Sequence, residues 1–388
     1  MIPTFSQRLA EVSGYFANGD HHLGYRRLLD AAIETSNFTI YEHTLEFCNW
    51  YDEASNGAEK AQLTEKVNEL LSKIGNGYTD RQVSHEARLS AENISKRYAS
   101  GNFSLSSMTV KLHPSQIIGL VGENGNGKTT LLRILYGELK PDTGSISYRF
   151  TMPQASPYGK KSFIAFVPQR PSAWYGSLME NLQFASTYTG FKGRENHLWT
   201  EMIIARMGLR PYRDYTWGRI SSGYKMRFEL ARTIITKPEV ILLDEPLANL
   251  DMLAQQIILE DLKFLAQSRS MPLSIILSSQ QLYEVEKVSD EVIFLQKGVA
   301  RYQAIKQQEE DIPARLVLEM ETPASRGQLQ AALEAYGLEK ISFNGGIYIL
   351  YFGTGTSLSS IFGALGSSDL PVKYLRNISV SSRRFFDA

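Results

Sequence analysis

Cysteine is almost absent: among 388 residues there is one, Cys48. A disulfide scaffold is thereby excluded, and a reducing compartment fits. Lying among Phe47 and Trp50, Cys48 reads as a core thiol rather than a nucleophile. Charge of one sign is also lacking. Lys+Arg and Asp+Glu number 41 each, so no global basic field is available to hold nucleic acid. Long hydrophobic runs are missing as well. The longest, such as Ile347–Phe352, fall far short of the ~20 residues needed to span a bilayer. The opening Met1-Ile2-Pro3-Thr4 starts no signal peptide. The expectation is a protein soluble by itself, with any membrane role exercised through a partner. Histidine is scarce, and none follows His197.

What is present organises the chain into roughly two or three domains, at roughly 150 residues each. Residues 1–86 read as a separate helical module, with helix-like spacing near 5–17, 22–35, 38–54 and 58–74. Leu63, Val67, Leu70, Leu71 and Ile74 line one face of the last segment. Gly19-Asp20, Ser36-Asn37, Ser55-Asn56-Gly57 and Gly75-Asn76-Gly77 punctuate them. Adjacent His21 and His22 cannot both face one ion on a helix, so they read as a surface pair. This module carries no catalytic pattern, and partner docking or internal packing is expected of it. Residues 87–300 alternate strands and helices, which argues a mostly parallel α/β core. A polar stretch with Gln307-Gln308-Glu309-Glu310-Asp311 then reads as a linker. Residues 313–388 follow a βαββαβ order: strand Arg315–Glu321, helix Arg326–Tyr336, a strand pair over Leu338–Phe352 broken at Asn344-Gly345-Gly346, helix Leu358–Leu365, strand Pro371–Ile378. That order predicts a small ferredoxin-like α+β sandwich.

The chemistry begins at residues 122–130, Gly-Glu-Asn-Gly-Asn-Gly-Lys-Thr-Thr. They fit G-x-x-x-x-G-K-[ST], the loop that cradles nucleotide phosphates. The apolar run Ile117–Val121 before it reads as a buried parallel strand, and Thr130–Tyr136 after it as a helix. Gly122, Gly125 and Gly127 permit backbone angles and close approach that a Cβ would forbid. Their N–H groups form a nest to which the helix N-terminus adds its positive end. Lys128 then reaches the β/γ-phosphates, and the Thr129 hydroxyl is placed for Mg²⁺. With Asn124 and Thr130, these residues are the candidate contacts of the loop. Farther on, Val240-Ile241-Leu242-Leu243-Asp244-Glu245 is an apolar strand ending in two carboxylates. Asp244 is positioned for Mg²⁺, and Glu245 to orient or deprotonate a water attacking the γ-phosphate.

Taken in order, these segments resemble the ATP-binding cassette (ABC) ATPases, an α/β P-loop NTPase fold with a helical subdomain, here about 172–225. Ile220-Ser221-Ser222-Gly223-Tyr224 is similar to the family's signature motif: Ser221 and Gly223 match, Ser222 replaces a Gly and Tyr224 a Gln. The resemblance implies that Ser221 and Gly223 close over ATP held by an opposing subunit. It makes Phe166-Val167-Pro168-Gln169 a Q-loop, with Gln169 touching Mg²⁺ and the attacking water, and Ala248-Asn249-Leu250-Asp251 a D-loop. Tyr98 matches the aromatic that stacks on adenine. Leu139–Ser145 matches the turn after the first helix. The cofactors implied are ATP and Mg²⁺.

One departure is large. Where the family places a switch histidine, the register Ser278-Ser279-Gln280-Gln281 puts Gln280. A glutamine still donates an N–H to a phosphate, at ~1.5–3 kcal/mol for a charged acceptor, but titration near neutral pH is lost. Good Mg-ATP binding with slow or partner-dependent hydrolysis is expected. The middle of the cassette, from Gly176–Leu182 through Arg206–Leu209, resembles the helical subdomain of exporter-type ATPases, and Trp174, Tyr175, Phe184, Tyr188 and Trp199 offer a groove for a transmembrane partner or plain core packing. The closing stretch through Ser381 and Phe386 is similar to the terminal domain of ABC-2-type exporter ATPases, although Ser382 and Arg383 replace its Leu and Glu. The resemblance thus implies an exporter's energy-coupling ATPase. It would work as a homo- or heterodimer with a second such subunit on transmembrane permease subunits, peripheral on the cytoplasmic face of the membrane, without nucleic acid. The alternatives are a soluble ABC-type ATPase acting on ribosomes or nucleic acid, and a binding-only regulatory cassette.

Overall fold

Helical periodicity at the amino terminus gives four helices, α1 (Phe5–Asn18), α2 (His21–Glu34), α3 (Phe38–Ala54) and α4 (Lys60–Gly77). The computed structural model describes residues 4–54, 60–79, 86–98, 103–151, 159–248, 250–305, 316–344 and 346–379. Of the expectations above, the polar stretch 307–311, Asn249, and the closing residues 381–386 lie outside these. Thr4 starts α1 with a reciprocal capping box to Gln7, and Gly19, at φ +87°, ends it.

The cassette follows. Strands β1 (Leu89–Arg97), β2 (Ser104–Leu112), β3 (Ile117–Val121), β4 (Thr143–Tyr148), β5 (Ile164–Val167), β6 (Val240–Leu243), β7 (Ser274–Ser279), β8 (Glu291–Gln296) and β9 (Val299–Ile305) form two sheets. Helices α5 (Lys128–Leu135), α6 (Leu178–Ser186), α7 (Gly193–Arg206), α8 (Ser222–Ile235), α9 (Met252–Ala266) and α10 (Leu282–Val288) connect them. The larger sheet runs β5-β6-β7-β3-β8-β9. It is parallel from β5 to β8, and β9 returns antiparallel. A second, antiparallel sheet has the order β2-β1-β4.

Period-two alternation explains why this sheet has two cores. Ile117, Val121, Ile241, Leu243, Ile275 and Leu277 face one cluster, which they share with α7, α8, α9 and the amino-terminal helices. Ile118, Leu120, Val240, Leu242 and Ile276 face the other, which they share with α5 and the antiparallel sheet. In the register Val121 pairs with Ser279, and Leu243 with Leu277. The carboxyl ends of β3, β6 and β7 therefore lie side by side, where open α/β sheets bind ligands.

The amino-terminal helices pack directly on the cassette. They share one hydrophobic cluster with it, and a buried ion network ties them down. Arg206 of α7 pairs with Asp30 of α2 and, at 2.6 Å, with Asp261 of α9, which also takes Arg26. Arg8 reaches Glu34 at 2.6 Å and the Gln267 carbonyl at 2.7 Å. A sequence pattern marks each helix's apolar face but not its counterpart, which is why the module looks independent on paper.

Beyond the cassette, β10 (Val317–Glu321), α11 (Arg326–Leu333), β11 (Leu338–Asn344), β12 (Ile347–Phe352), α12 (Leu358–Ser367) and β13 (Tyr374–Asn377) build an antiparallel sheet of order β11-β12-β10-β13. That is the expected split βαβ arrangement, with its own core around Leu318, Met320, Leu350 and Phe352. Arg376 of β13 stacks over Tyr283 of α10 at 3.8 Å, so this domain touches the segment just past Gln280.

Candidate active site

Glycine shapes the loop between β3 and α5 where space requires it. A Cβ on Gly122 would stand 2.3 Å from the Leu295 carbonyl oxygen, and one on Gly127 2.7 Å from the Phe103 ring. Gly127 also holds φ +102°, a left-handed conformation natural to glycine, at the first cap of α5. The loop therefore turns tightly and delivers Lys128 inward, with its side chain 4% exposed. Lys128 Nζ donates to the carbonyls of Gly122 at 2.6 Å and Glu123 at 3.2 Å. It also pairs with Glu245 Oε1 at 3.0 Å.

Glu245 is the hub. Its Oε2 accepts amide N–H groups from both Gln169 and Gln280, each at 3.0 Å. The second of these amides also donates to Asn124 Oδ1 at 3.1 Å. Residues from the β3 loop, the end of β5 and the end of β7 thus converge on one carboxylate at the end of β6. Its backbone sits at φ +48°, a conformation that costs a non-glycine residue about 1–3 kcal/mol and recurs at functional sites. Asp244 is next door: Thr129 Oγ1 donates to its Oδ2 at 2.8 Å, and Ser278 Oγ to its Oδ1 at 2.9 Å. Ser278 is a residue the sequence offers no signal for, since it reads as part of an apolar strand.

The other candidates lie on separate elements. The Tyr98 hydroxyl is 3.5 Å from Thr130 Oγ1, and its ring lies 6.3 Å from that of Phe103, on the rim of the loop. Gly125, at φ +81°, leaves open space where a Cβ would go. Ser221 caps α8 by accepting from the Tyr224 N–H, and Asp251 caps α9 by accepting from the Ala254 N–H at 2.9 Å. Gly223 faces Ala254, so the starts of α8 and α9 are neighbours. Tyr224, in place of the family's Gln, packs on Tyr212 with ring centroids 4.1 Å apart. Cys48 is fully buried, and burial pushes its thiol up to about 11, as befits a core position.

The aromatics of the helical subdomain divide between core and surface. Trp199 is fully buried and donates to the Ile235 carbonyl at 2.9 Å, so it belongs to the core. Trp174, Tyr175, Phe184 and Tyr188, with Lys161 and Arg232, line an open groove of about 600 Å³.

A glycine loop opening a helix, a buried lysine at its end and an Asp-Glu pair closing buried β6, one strand removed from β3 in the sheet, define a P-loop nucleotide-binding domain. Residues 105–248 match the ABC transporter family, and this part of the chain is an ABC-type ATPase domain. The chain is 30% identical over 212 residues to the spermidine/putrescine import ATP-binding protein PotA of Mesoplasma florum, covering 54% of this chain and 59% of that protein. It is 29% identical over 197 residues to the ABC transporter ATP-binding protein NatA of Bacillus subtilis, covering 50% of this chain and 79% of that one. The fold is shared with cbiO1 from Clostridium perfringens, part of the ABC transporter complex cbiONQ. There the TM-score is 0.52 at 24% identity, over 58% of this chain and 92% of that structure.

Proposed function

We propose that this chain is the ATP-binding and ATP-hydrolysing subunit of an ABC exporter, driving a transmembrane permease through nucleotide-dependent pairing with a second such subunit. The observation that carries the enzymatic part is the convergence of Lys128, Gln169 and Gln280 on Glu245 at the mouth of the glycine loop. Lys128 and the loop N–H groups would bind the β/γ-phosphates, with Asn124, Gly125, Gly127 and Thr130 around them and Tyr98 beside the base. Thr129 and Asp244 present hard oxygen donors that fit Mg²⁺, with Gln169 nearby. When bound, that ion would neutralise phosphate charge. Among the described residues no group of three His, Cys, Asp or Glu could hold a metal alone, which suits an ion shared with a phosphate. Glu245 would accept the proton of the attacking water at a carboxylate oxygen.

The partner side of the reading rests on the exposed aromatics of the groove and on relatives that belong to transporters. Among the described residues, no helix is long and apolar enough to cross a membrane, so the membrane would be reached through the permease, on its cytoplasmic face. Ser221, Gly223 and Asp251 would meet the nucleotide of the opposing subunit. One of the relatives is named an import protein; the exporter direction rests on the resemblance of the helical subdomain and terminal domain. The proposed division is 1–86, 87–300 with its helical insert about 172–225, and 301–388.

The test is purification of the chain from its native membrane together with whatever it binds. A polytopic membrane protein and Mg²⁺-dependent ATP turnover are expected. Recovery with ribosomes or nucleic acid instead would replace this reading. A second reading, a binding-only regulatory cassette, is favoured by Gln280 at the switch position. ATP binding without turnover in the assembled complex would establish it.

A further inference from the structure

Ser278 is fully buried in β7, where Ile275, Ile276 and Leu277 precede it. A hydroxyl in such a strand is costly unless it is hydrogen-bonded. Here both of its bonds go to the acidic pair. Its Oγ accepts the Glu245 backbone N–H at 2.9 Å, and since that N–H can only donate, the hydroxyl proton is free to go to Asp244 Oδ1, also at 2.9 Å.

Two consequences follow from that geometry. With Oδ1 held by Ser278, Oδ2 of the same carboxylate faces the Thr129 hydroxyl at 2.8 Å. The bond to Glu245 N–H also pins a backbone at φ +48°, which an isolated glutamate would leave. The chain then runs directly into Gln280, which holds the Glu245 carboxylate from the other end at 3.0 Å. Ser279, between them, accepts the Gly122 N–H on its carbonyl at 3.3 Å. The end of β7 thereby fixes the glycine loop and both carboxylates relative to one another.

We propose that Ser278 is a positioning residue for ATP hydrolysis: its hydroxyl turns Asp244 toward Thr129 and locks Glu245 in the backbone conformation that aims its carboxylate at the loop. The inference rests on the nucleotide-hydrolysing reading above. The experiment uses the full chain with Ser278→Ala, Ser278→Val and Ser278→Thr, measuring kcat, KM for ATP and the Mg²⁺ concentration for half-maximal turnover. The Ala and Val variants should lose about tenfold to a hundredfold in kcat, as for one hydrogen bond to a charged group. They should also need more Mg²⁺, with KM for ATP little changed. Threonine should recover most of kcat, because it restores the hydroxyl on a side chain of valine's shape. Ala and Val variants with wild-type kcat and Mg²⁺ demand would overturn the proposal, as would a Thr variant no better than Val. If the native chain binds ATP without turnover, the enzymatic reading fails by itself. The Mg²⁺-dependence of binding a fluorescent ATP analogue then decides for Ser278: a weakened dependence in Ser278→Ala supports its hold on Asp244, and an unchanged one overturns it.

Discussion

Glu245 carries opposed requirements. Its two oxygens meet one ammonium and two amides, all at 3.0 Å. These donors hold a carboxylate in place, and the two amides, unlike a histidine, carry no titratable proton near neutral pH. Glu245→Gln should therefore keep nucleotide binding and lower ATP turnover by about 10²–10⁴-fold, read as phosphate release in single-turnover assays. An unchanged rate would remove Glu245 as the base. Gln280→His should raise turnover and introduce a pH dependence near the ordinary imidazole value of about 6.5. A variant with no gain in rate would show that the glutamine is not what limits the reaction.

Helices α2, α7 and α9 meet at a buried cluster whose members cannot be removed singly without leaving a charge behind. Burial alone would lower the Arg206 pKa, but Asp30 and Asp261 outweigh it and raise it. Burial alone would raise Asp261, but Arg206 and Arg26 outweigh it and hold that carboxyl below its ordinary 3.8. Asp261→Ala should cost about 3–5 kcal/mol, seen as a lower urea midpoint of unfolding. A carboxyl with a depressed folded-state pKa contributes its stability above the unfolded value and loses it as pH falls through the folded one. Wild type should thus lose stability below about pH 4, and Asp261→Ala should lose less there. Unfolding curves of equal pH slope would refute this. At the start of α9, Asp251→Ala should cost about 1 kcal/mol as a lost cap, in addition to any effect on nucleotide.

On the scale of the molecule, three units pack around the larger sheet and its helices: helices 1–4 on one core, the antiparallel sheet on the other, and the terminal α+β unit against α10 through Arg376 and Tyr283. The open groove with Phe184 and Tyr188, 70% and 76% exposed, is the docking surface in the proposed reading. Phe184→Asp with Tyr188→Asp should abolish co-purification with a membrane protein; an intact complex would move docking elsewhere. The glycine loop, the Asp-Glu strand, the helix faces such as Leu63–Ile74 and the βαββαβ order were legible in the sequence. Each is set by backbone and side-chain periodicity within a few neighbouring residues. What depended on the folded chain was which of these distant pieces touch. Thr129 meets Asp244 across 115 positions, Ser278 meets Asp244 across 34, and Arg206 meets Asp30 across 176. The docking of helices 1–4, the burial of Trp199 and the part played by Ser278 were decided there. Such contacts come from strand register and packing, which bring together residues whose own neighbourhoods carry no trace of one another.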